Sequence, residues 1–315
     1  VRDPVVLAEV VRSGFVECRH RGSLVALEAD GSVAFSLGDV TSPIYPRSSN
    51  KPLQATGMVR HGLDLVGEFL ALTSASHSGE PFHLDGVRRI LAGAGLDESA
   101  LQCPKSWPID DDAKAAMIRA DERPARVTMN CSGKHAGMLA TCVANDWPIS
   151  TYLSPSHPLQ AAIRETVEDL AGEKVAHVGV DGCGAPLLAF SLTGLARAFR
   201  ALVLEPEGSA GHRVASAIRA HPEYVSGTDR DEVDLLRSVP GLVGKSGAEA
   251  CYAVALPDGR VVALKIEDGG QRARPVVMAA ALRRFGIDNK VIADQASGPV
   301  KGGGESVGEI RSVGV

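Results

Sequence analysis

Leu24-Val25-Ala26-Leu27-Glu28-Ala29-Asp30-Gly31-Ser32-Val33-Ala34-Phe35-Ser36-Leu37 is the stretch whose reading decides the fold. Two strand-like runs, Leu24 to Glu28 and Ser32 to Leu37, flank Ala29-Asp30-Gly31, and Asp-Gly between such runs is a hairpin signal. The same grammar returns near the other end of the chain. Ala250–Leu256 and Arg260–Ile266 are joined through Pro257-Asp258-Gly259, and Ser306–Val315 alternates like a strand after the flexible Gly302-Gly303-Gly304. Between these ends the pattern turns helical. Helices are expected over Asn50–Arg60, Pro81–Ala94, Asp111–Ala120, Gly133–Ala144, Ser156–Ala171, Pro186–Ala201, Ser209–Ala220 and Arg274–Phe285, with Ser156 as an N-cap. Lys174 to Val180 reads as a buried strand. Pro52 is tolerated only in a first helical turn, so the Asn50–Arg60 helix must begin between Ser48 and Lys51. Strands at both ends with helices between predict an α+β fold rather than a βαβ relay. The terminal strands, 1–45 and 245–315, form one antiparallel sheet packed with helices. The middle forms a helical lobe, and 1–315 is one unit.

Composition narrows the field. The chain has 315 residues, 44 % hydrophobic but only 4 % aromatic, so its core is built mainly from Ala, Val and Leu. A net charge of −5 and no basic stripe argue against nucleic acid as a partner. The apolar run after Pro4 is broken by Glu9 and Arg12, too short and charged for a signal peptide or membrane span. Six cysteines without a Cys-x-x-Cys pair fit a reduced, cytoplasmic chain better than a disulfide framework.

Three islands carry the chemistry: Arg47-Ser48-Ser49-Asn50-Lys51, Ser74-Ala75-Ser76-His77-Ser78-Gly79-Glu80 and Asn130-Cys131-Ser132-Gly133-Lys134-His135-Ala136-Gly137, the last with a companion in Asp181-Gly182-Cys183-Gly184. Ser48-x-x-Lys51 sets a hydroxyl and an amine one helical turn apart, and serine needs a base to become a nucleophile. Such pairs occur in β-lactamases and penicillin-binding proteins, and also by chance on surfaces. The Ser74–Glu80 island supplies either a second nucleophile or oxyanion donors, or a cap for the helix starting near Pro81. Ligand chemistry alone nominates Cys131, His135 and Cys183 for zinc; buried free cysteines are the plainer reading. Lys245, between glycines after an apolar pair, is a turn lysine or a site lysine. Lys265 and Glu267 end a strand and can line a cleft.

Together these islands resemble the class 3 L-asparaginases, the rhizobial-type amidohydrolases. The match runs through Arg47–Gln54, Ala75–Ser78, Cys131–His135 with Gly137-Met138-Leu139, Asp181-Gly182-Cys183, Gly244-Lys245 and Lys265–Gly269. The resemblance implies a fold similar to serine β-lactamases and glutaminases, and two Ser-Lys pairs, Ser48 with Lys51 and Ser76 with Lys245. One serine, with Ser48 favoured, attacks the side-chain amide of asparagine. Arg47 and Asp181 are implied anchors for the substrate's charged groups, with Asn130 and His135 beside them. The resemblance also implies one zinc ion on Cys131, Lys134 and Cys183, in place of the set with His135, and a homodimer. The expected activity is therefore L-asparagine amidohydrolysis. The alternatives are a glutaminase or broader amide or β-lactam hydrolase, or a zinc- or amino-acid-binding protein without turnover. One methylene discriminates only modestly, so the preferred amide is not legible here.

Overall fold

The computed structural model describes residues 3–315. Its strands are β1 (Val5–Arg12), β2 (Phe15–Leu27), β3 (Val33–Leu37), β4 (Pro43–Ile44), β5 (His177–Val180), β6 (Pro186–Ser191), β7 (Val243–Ser246), β8 (Cys251–Ala255), β9 (Val261–Ile266), β10 (Ser297–Gly302) and β11 (Glu305–Ser312). The helices are α1 (Lys51–Arg60), α2 (Gly67–Thr73), α3 (Pro81–Gly93), α4 (Asp111–Arg119), α5 (Ser132–Ala144), α6 (Pro158–Ala171), α7 (Leu192–Leu204), α8 (Ala210–Ala220), α9 (Pro222–Val225), α10 (Asp231–Ser238), α11 (Ala273–Arg284) and α12 (Lys290–Gln295).

The large sheet runs β10-β11-β1-β2-β9-β8-β7, with β3 also paired to β2, and all its pairings are antiparallel. Every strand in it comes from the two ends of the chain, as the hairpins at Asp30-Gly31 and Asp258-Gly259 require. β2 is its organiser. The first part of one edge pairs with β1 and the later part with β3, while the other edge carries β9 from Gly22 to Leu27. Gly22 sits at that crossing. A Cβ there would lie 2.3 Å from the Lys265 carbonyl oxygen, so only glycine lets the two backbones approach.

β8 and β9 are buried almost throughout, β8 entirely and β9 except at Lys265. α7 packs against β2, β8 and β9, and α11 against β1, β9 and β11. In the helical layer α1 is central, touching α2, α5, α6, α7 and α8, and every one of its residues except Arg60 is buried. Gly57 allows that density, since a Cβ there would come within 3.1 Å of the Ile163 Cα. The helix carries Pro52 in its first turn and follows a 3₁₀ turn over Arg47–Asn50. The site residues are thus delivered at the buried start of the most enclosed helix.

Several local expectations are corrected. Pro186–Ala201 is not one helix: Pro186–Ser191 is a fully buried strand pairing with β4 and β5, and α7 starts only at Leu192. A short continuous apolar run cannot be told from a helix by periodicity, and the Ser191 hydroxyl then caps α7 by accepting from Gly194 N–H. Strand β5 is shorter than Lys174–Val180, with exposed ends. The N-cap of α6 is His157, whose Nδ1 accepts from Leu159 N–H at 3.1 Å, while Ser156 pairs with Ser154. Gly302-Gly303-Gly304 is no spacer but the end of β10 and the turn joining it to β11. Among the described residues, no helix is long and apolar enough to cross a membrane.

Phe199 of α7 is wholly buried in the layer facing β2, β8 and β9. Phe199→Ala is expected to destabilise the fold by about 3–5 kcal/mol, read from the urea midpoint.

Candidate active site

The Ser48 turn is made by an unusual backbone. Arg47 has φ 52°, a left-handed conformation that costs a non-glycine residue energy and persists where the surroundings enforce it. Two acids help to hold it. Arg47 Nε donates to Asp181 Oδ1 at 2.9 Å, and a guanidinium nitrogen lies 3.8 Å from Glu249. The two residues expected to grip a substrate's opposite charges therefore grip each other. From the sheet side Gly247 closes against this turn: a Cβ there would lie 2.8 Å from Pro46 O and 3.0 Å from Ser48 N. Ser48 itself is buried, and among the described residues its hydroxyl makes no hydrogen bond.

Lys51 begins α1 and is 1 % exposed. Its amine donates to the Ala75 carbonyl, to Ser76 Oγ at 3.0 Å and to Cys131 Sγ at 3.0 Å. The lysine one turn from Ser48 thus makes its serine contact with Ser76. Lys245, at 0 % exposed, does not hydrogen-bond Ser76; it bonds Glu232 Oε2 at 3.2 Å and the Ser246 carbonyl at 2.9 Å. Helix α1 aims the amine of Lys51 into the interior, where the Ser76 loop passes, and spacing along one strand or helix could not have revealed that.

The Ser76 segment is held as an extended strap. Ser76 N–H donates to Val225 O, Ser78 N–H to Ser226 O, and His77 N–H to Asn130 O. The cap reading of its serines fails, because the Ser78 hydroxyl bonds Ser226 and α3 starts without a side-chain cap. Beneath it the His77 imidazole bonds Ser132 Oγ at 2.8 Å and stacks on His83. Burial, then the neighbouring His83 and Lys51, holds the His77 pKa well below its ordinary value, so the ring is neutral.

Asn130 opens the third island, its side-chain oxygen 3.5 Å from Cys131 Sγ. Cys131, Lys134 and Cys183 are brought together by the start of α5 and the turn after β5. Lys134 Nζ stands 3.2 Å from Cys183 Sγ. A hydrogen bond from Cys131 lowers the pKa of Cys183 far below the usual thiol value, against burial and with help from Lys134 and His135. The same bond, together with burial, keeps Cys131 a thiol. Burial opposes the charge of Lys134, but Cys183, Cys131 and Asp181 outweigh it and raise its pKa. His135 is sealed from solvent and kept neutral chiefly by burial, its Nδ1 bonded to the Tyr152 hydroxyl at 2.7 Å.

Among the described residues, no three His, Cys, Asp or Glu side chains stand close enough to hold a metal, so Cys131, His135 and Cys183 do not form such a set. Two cysteines and one amine do converge. Thiolates are the ligands zinc prefers, and a sulfur-to-nitrogen spacing of 3.2 Å suits two ligands of one ion with bonds of about 2.0–2.3 Å. The donors therefore fit zinc, provided Lys134 gives up its proton to the metal.

Glu232 is the site residue that the sequence reading missed. It lies in an acidic first turn, Asp231-Glu232-Val233-Asp234, which reads as a solvated helix start. It is instead 1 % exposed and turned onto Lys245. Lys265, half-buried, ends β9 by bonding the Glu249 and Ile266 carbonyls, which pins the loop that faces Arg47.

The α+β chain thus brings a hydroxyl, an amine and a thiol together at Lys51. A family model described as L-asparaginase II matches residues 8–312, and the chain belongs to that family and so to the amidohydrolases. Among solved structures, Mglu in its native form is 14 % identical, with a TM-score of 0.47 over 91 % of this chain and 70 % of that one. A β-lactamase from Mycobacterium bovis is also 14 % identical, with a TM-score of 0.47 over 84 % and 95 %. No curated protein matches the chain in sequence.

The close approach at Gly247 is testable alone. Gly247→Ala places a methyl against backbone atoms that cannot step aside, and is expected to destabilise the protein by about 1–3 kcal/mol, measured by chemical denaturation.

Proposed function

We propose that this chain hydrolyses the side-chain amide of L-asparagine to L-aspartate and ammonia, with Ser48 as the nucleophile. The observation that carries the reading is the sealed amine of Lys51, one turn from Ser48 and 3.0 Å from Ser76 Oγ. One base then serves two hydroxyls. Ser48 Oγ attacks the amide carbon and its proton passes to Lys51. Ser76, bonded to that amine, hands a proton to the departing nitrogen, so ammonia leaves and an aspartyl ester remains. Water cleaves the ester, releasing aspartate and restoring Ser48. Catalytic hydrogen bonds commonly tighten only once substrate is bound, which accommodates the unpartnered Ser48 hydroxyl.

Arg47 and Asp181, paired here, are of the right charges to separate around the α-carboxylate and α-ammonium of an amino acid. Asn130, partly open beside Cys131, is a further polar contact. Cys131, Lys134 and Cys183 would hold one zinc ion per chain; when bound it supplies positive charge beside the serines that favours orientation of the substrate. Cys131 also accepts from Lys51, so a metal on those sulfurs would compete with that contact. The family resemblance further supports a cytoplasmic homodimer, which light scattering and fractionation check.

The test is ammonia release from L-asparagine and L-glutamine, with and without added zinc. Ser48→Ala is expected to lower kcat by about 10⁴-fold or more, and Ser76→Ala by about 10²–10⁴-fold. Faster release from glutamine would move the assignment to a glutaminase. Folded, zinc-loaded protein that releases ammonia from neither amide would sink the proposal. Metal analysis should find one zinc per chain, lost in Cys183→Ser.

A further inference from the structure

Two sealed lysines lie in the interior near enough that Lys51 disfavours the proton on Lys245. Like charges in low dielectric repel, and burial disfavours the ammonium form of Lys245. The structure treats the two unequally. Lys51 is met by a carbonyl, a hydroxyl and a thiol, and among the described residues it makes no ion pair. Lys245 has a carboxylate of its own, that of Glu232.

Glu232 does more than pair. One oxygen accepts from Lys245 Nζ at 3.2 Å and from Ser246 Oγ at 3.0 Å, and the other accepts from the Ser246 backbone N–H. A single carboxylate thereby fixes the end of β7, where the strand meets Gly247 and, through it, the Ser48 turn. Arg274, from α11, lies over the Tyr252 ring of β8 and gives one nitrogen to both oxygens of Asp231 at 2.7 Å. Arg274 gives its hydrogen bonds to Asp231 and acts on Glu232 only through its charge, so the direct ion pair of Glu232 is with Lys245.

We propose, building on the amidase reading above, that Glu232 is a positioning residue for the reaction: it holds Lys245 as a fixed ammonium behind the Ser48 turn, leaving Lys51 as the lysine that exchanges the proton. The two lysines then have different tasks although both are buried beside serines. Burial pulls the Lys245 pKa down to about 8, with Glu232 working in the opposite direction and Lys51 and Arg274 adding to the fall. The carboxylate is kept ionised against burial by Lys245, Arg274 and the Ser246 N–H. Lys245 is therefore charged below about pH 8 and neutral above it. Removing the carboxylate lowers that midpoint further.

The experiment uses the whole chain with isotope-labelled lysine. The Lys245 side-chain NMR signal, identified by its loss in Lys245→Arg, is followed against pH alongside kcat for ammonia release. In the wild type the signal should titrate near pH 8, and kcat should fall as pH rises through that value. In Glu232→Gln both midpoints should move about 1–3 units lower. Glu232→Asp keeps the charge but draws it back, so its midpoints should lie between; it also carries the test if Glu232→Gln does not fold. Lys245→Arg, permanently charged, should lose the alkaline fall. A Lys245 midpoint unchanged in folded Glu232→Gln and Glu232→Asp overturns the proposal, as does an alkaline fall in kcat that ignores both variants. The expected NMR shifts without any ammonia release would instead overturn the amidase reading, and with it the catalytic part of this role.

Discussion

A lysine amine sealed inside a protein must have its polar hydrogens and lone pair met, and Lys51 is met from three directions. The carbonyl of Ala75, the hydroxyl of Ser76 and the sulfur of Cys131 all converge on its Nζ. Leaving such a group unpaired costs several kcal/mol, so these partners are constraints as much as contacts. They bind the start of α1, the strap after α2 and the entry to α5 into one junction. Since α1 is buried along nearly its whole length, the helical layer is organised around the helix that carries this lysine. The Ser48 turn is placed by the same helix, and β7 closes on it only because Gly247 has no side chain.

Charge is arranged with equal economy on either side of that junction. Cys131 and Cys183 share one proton, with the anion on Cys183 beside Lys134. Glu232 neutralises Lys245, and Asp231 engages Arg274. Positive groups in this interior thus lie beside sulfur or carboxylate, while Lys51 alone leans on neutral or thiol partners. Breaking a buried ion pair by removing one member is commonly worse than never having had it, which is why the Lys245–Glu232 contact constrains both the fold and the chemistry.

Much of this was legible in the chain itself, and what was not has an identifiable cause. The Asp30-Gly31 and Asp258-Gly259 hairpins announced the sheet, because their turns need a residue tolerant of positive φ between strand-like runs; Gly31 and Gly259 have φ of 92° and 93°. Pro52 located the start of α1 to within a turn. The islands named Ser48, Lys51, Ser76, Cys131, Lys134 and Cys183 by residue type, and the family resemblance added Lys245. Pro186–Ser191 misled because a six-residue apolar run buried on both sides has no periodicity to read. Glu232 was invisible because an acidic residue at a helix start is ordinarily solvated, and nothing local says that β7 will be laid against it.

By itself, then, the sequence determined the antiparallel sheet, the helical middle and the reactive groups present, since turn chemistry and hydrophobic period act over a few residues. Tertiary structure decided the pairings: Lys51 with Ser76, Lys245 with Glu232, Lys134 with Cys183, and Arg47 with Asp181. Each joins residues from different elements, from 13 to 134 positions apart in the chain. The partner of a buried charge depends on which distant segment the packed core brings within about 3 Å, and no local pattern encodes that distance.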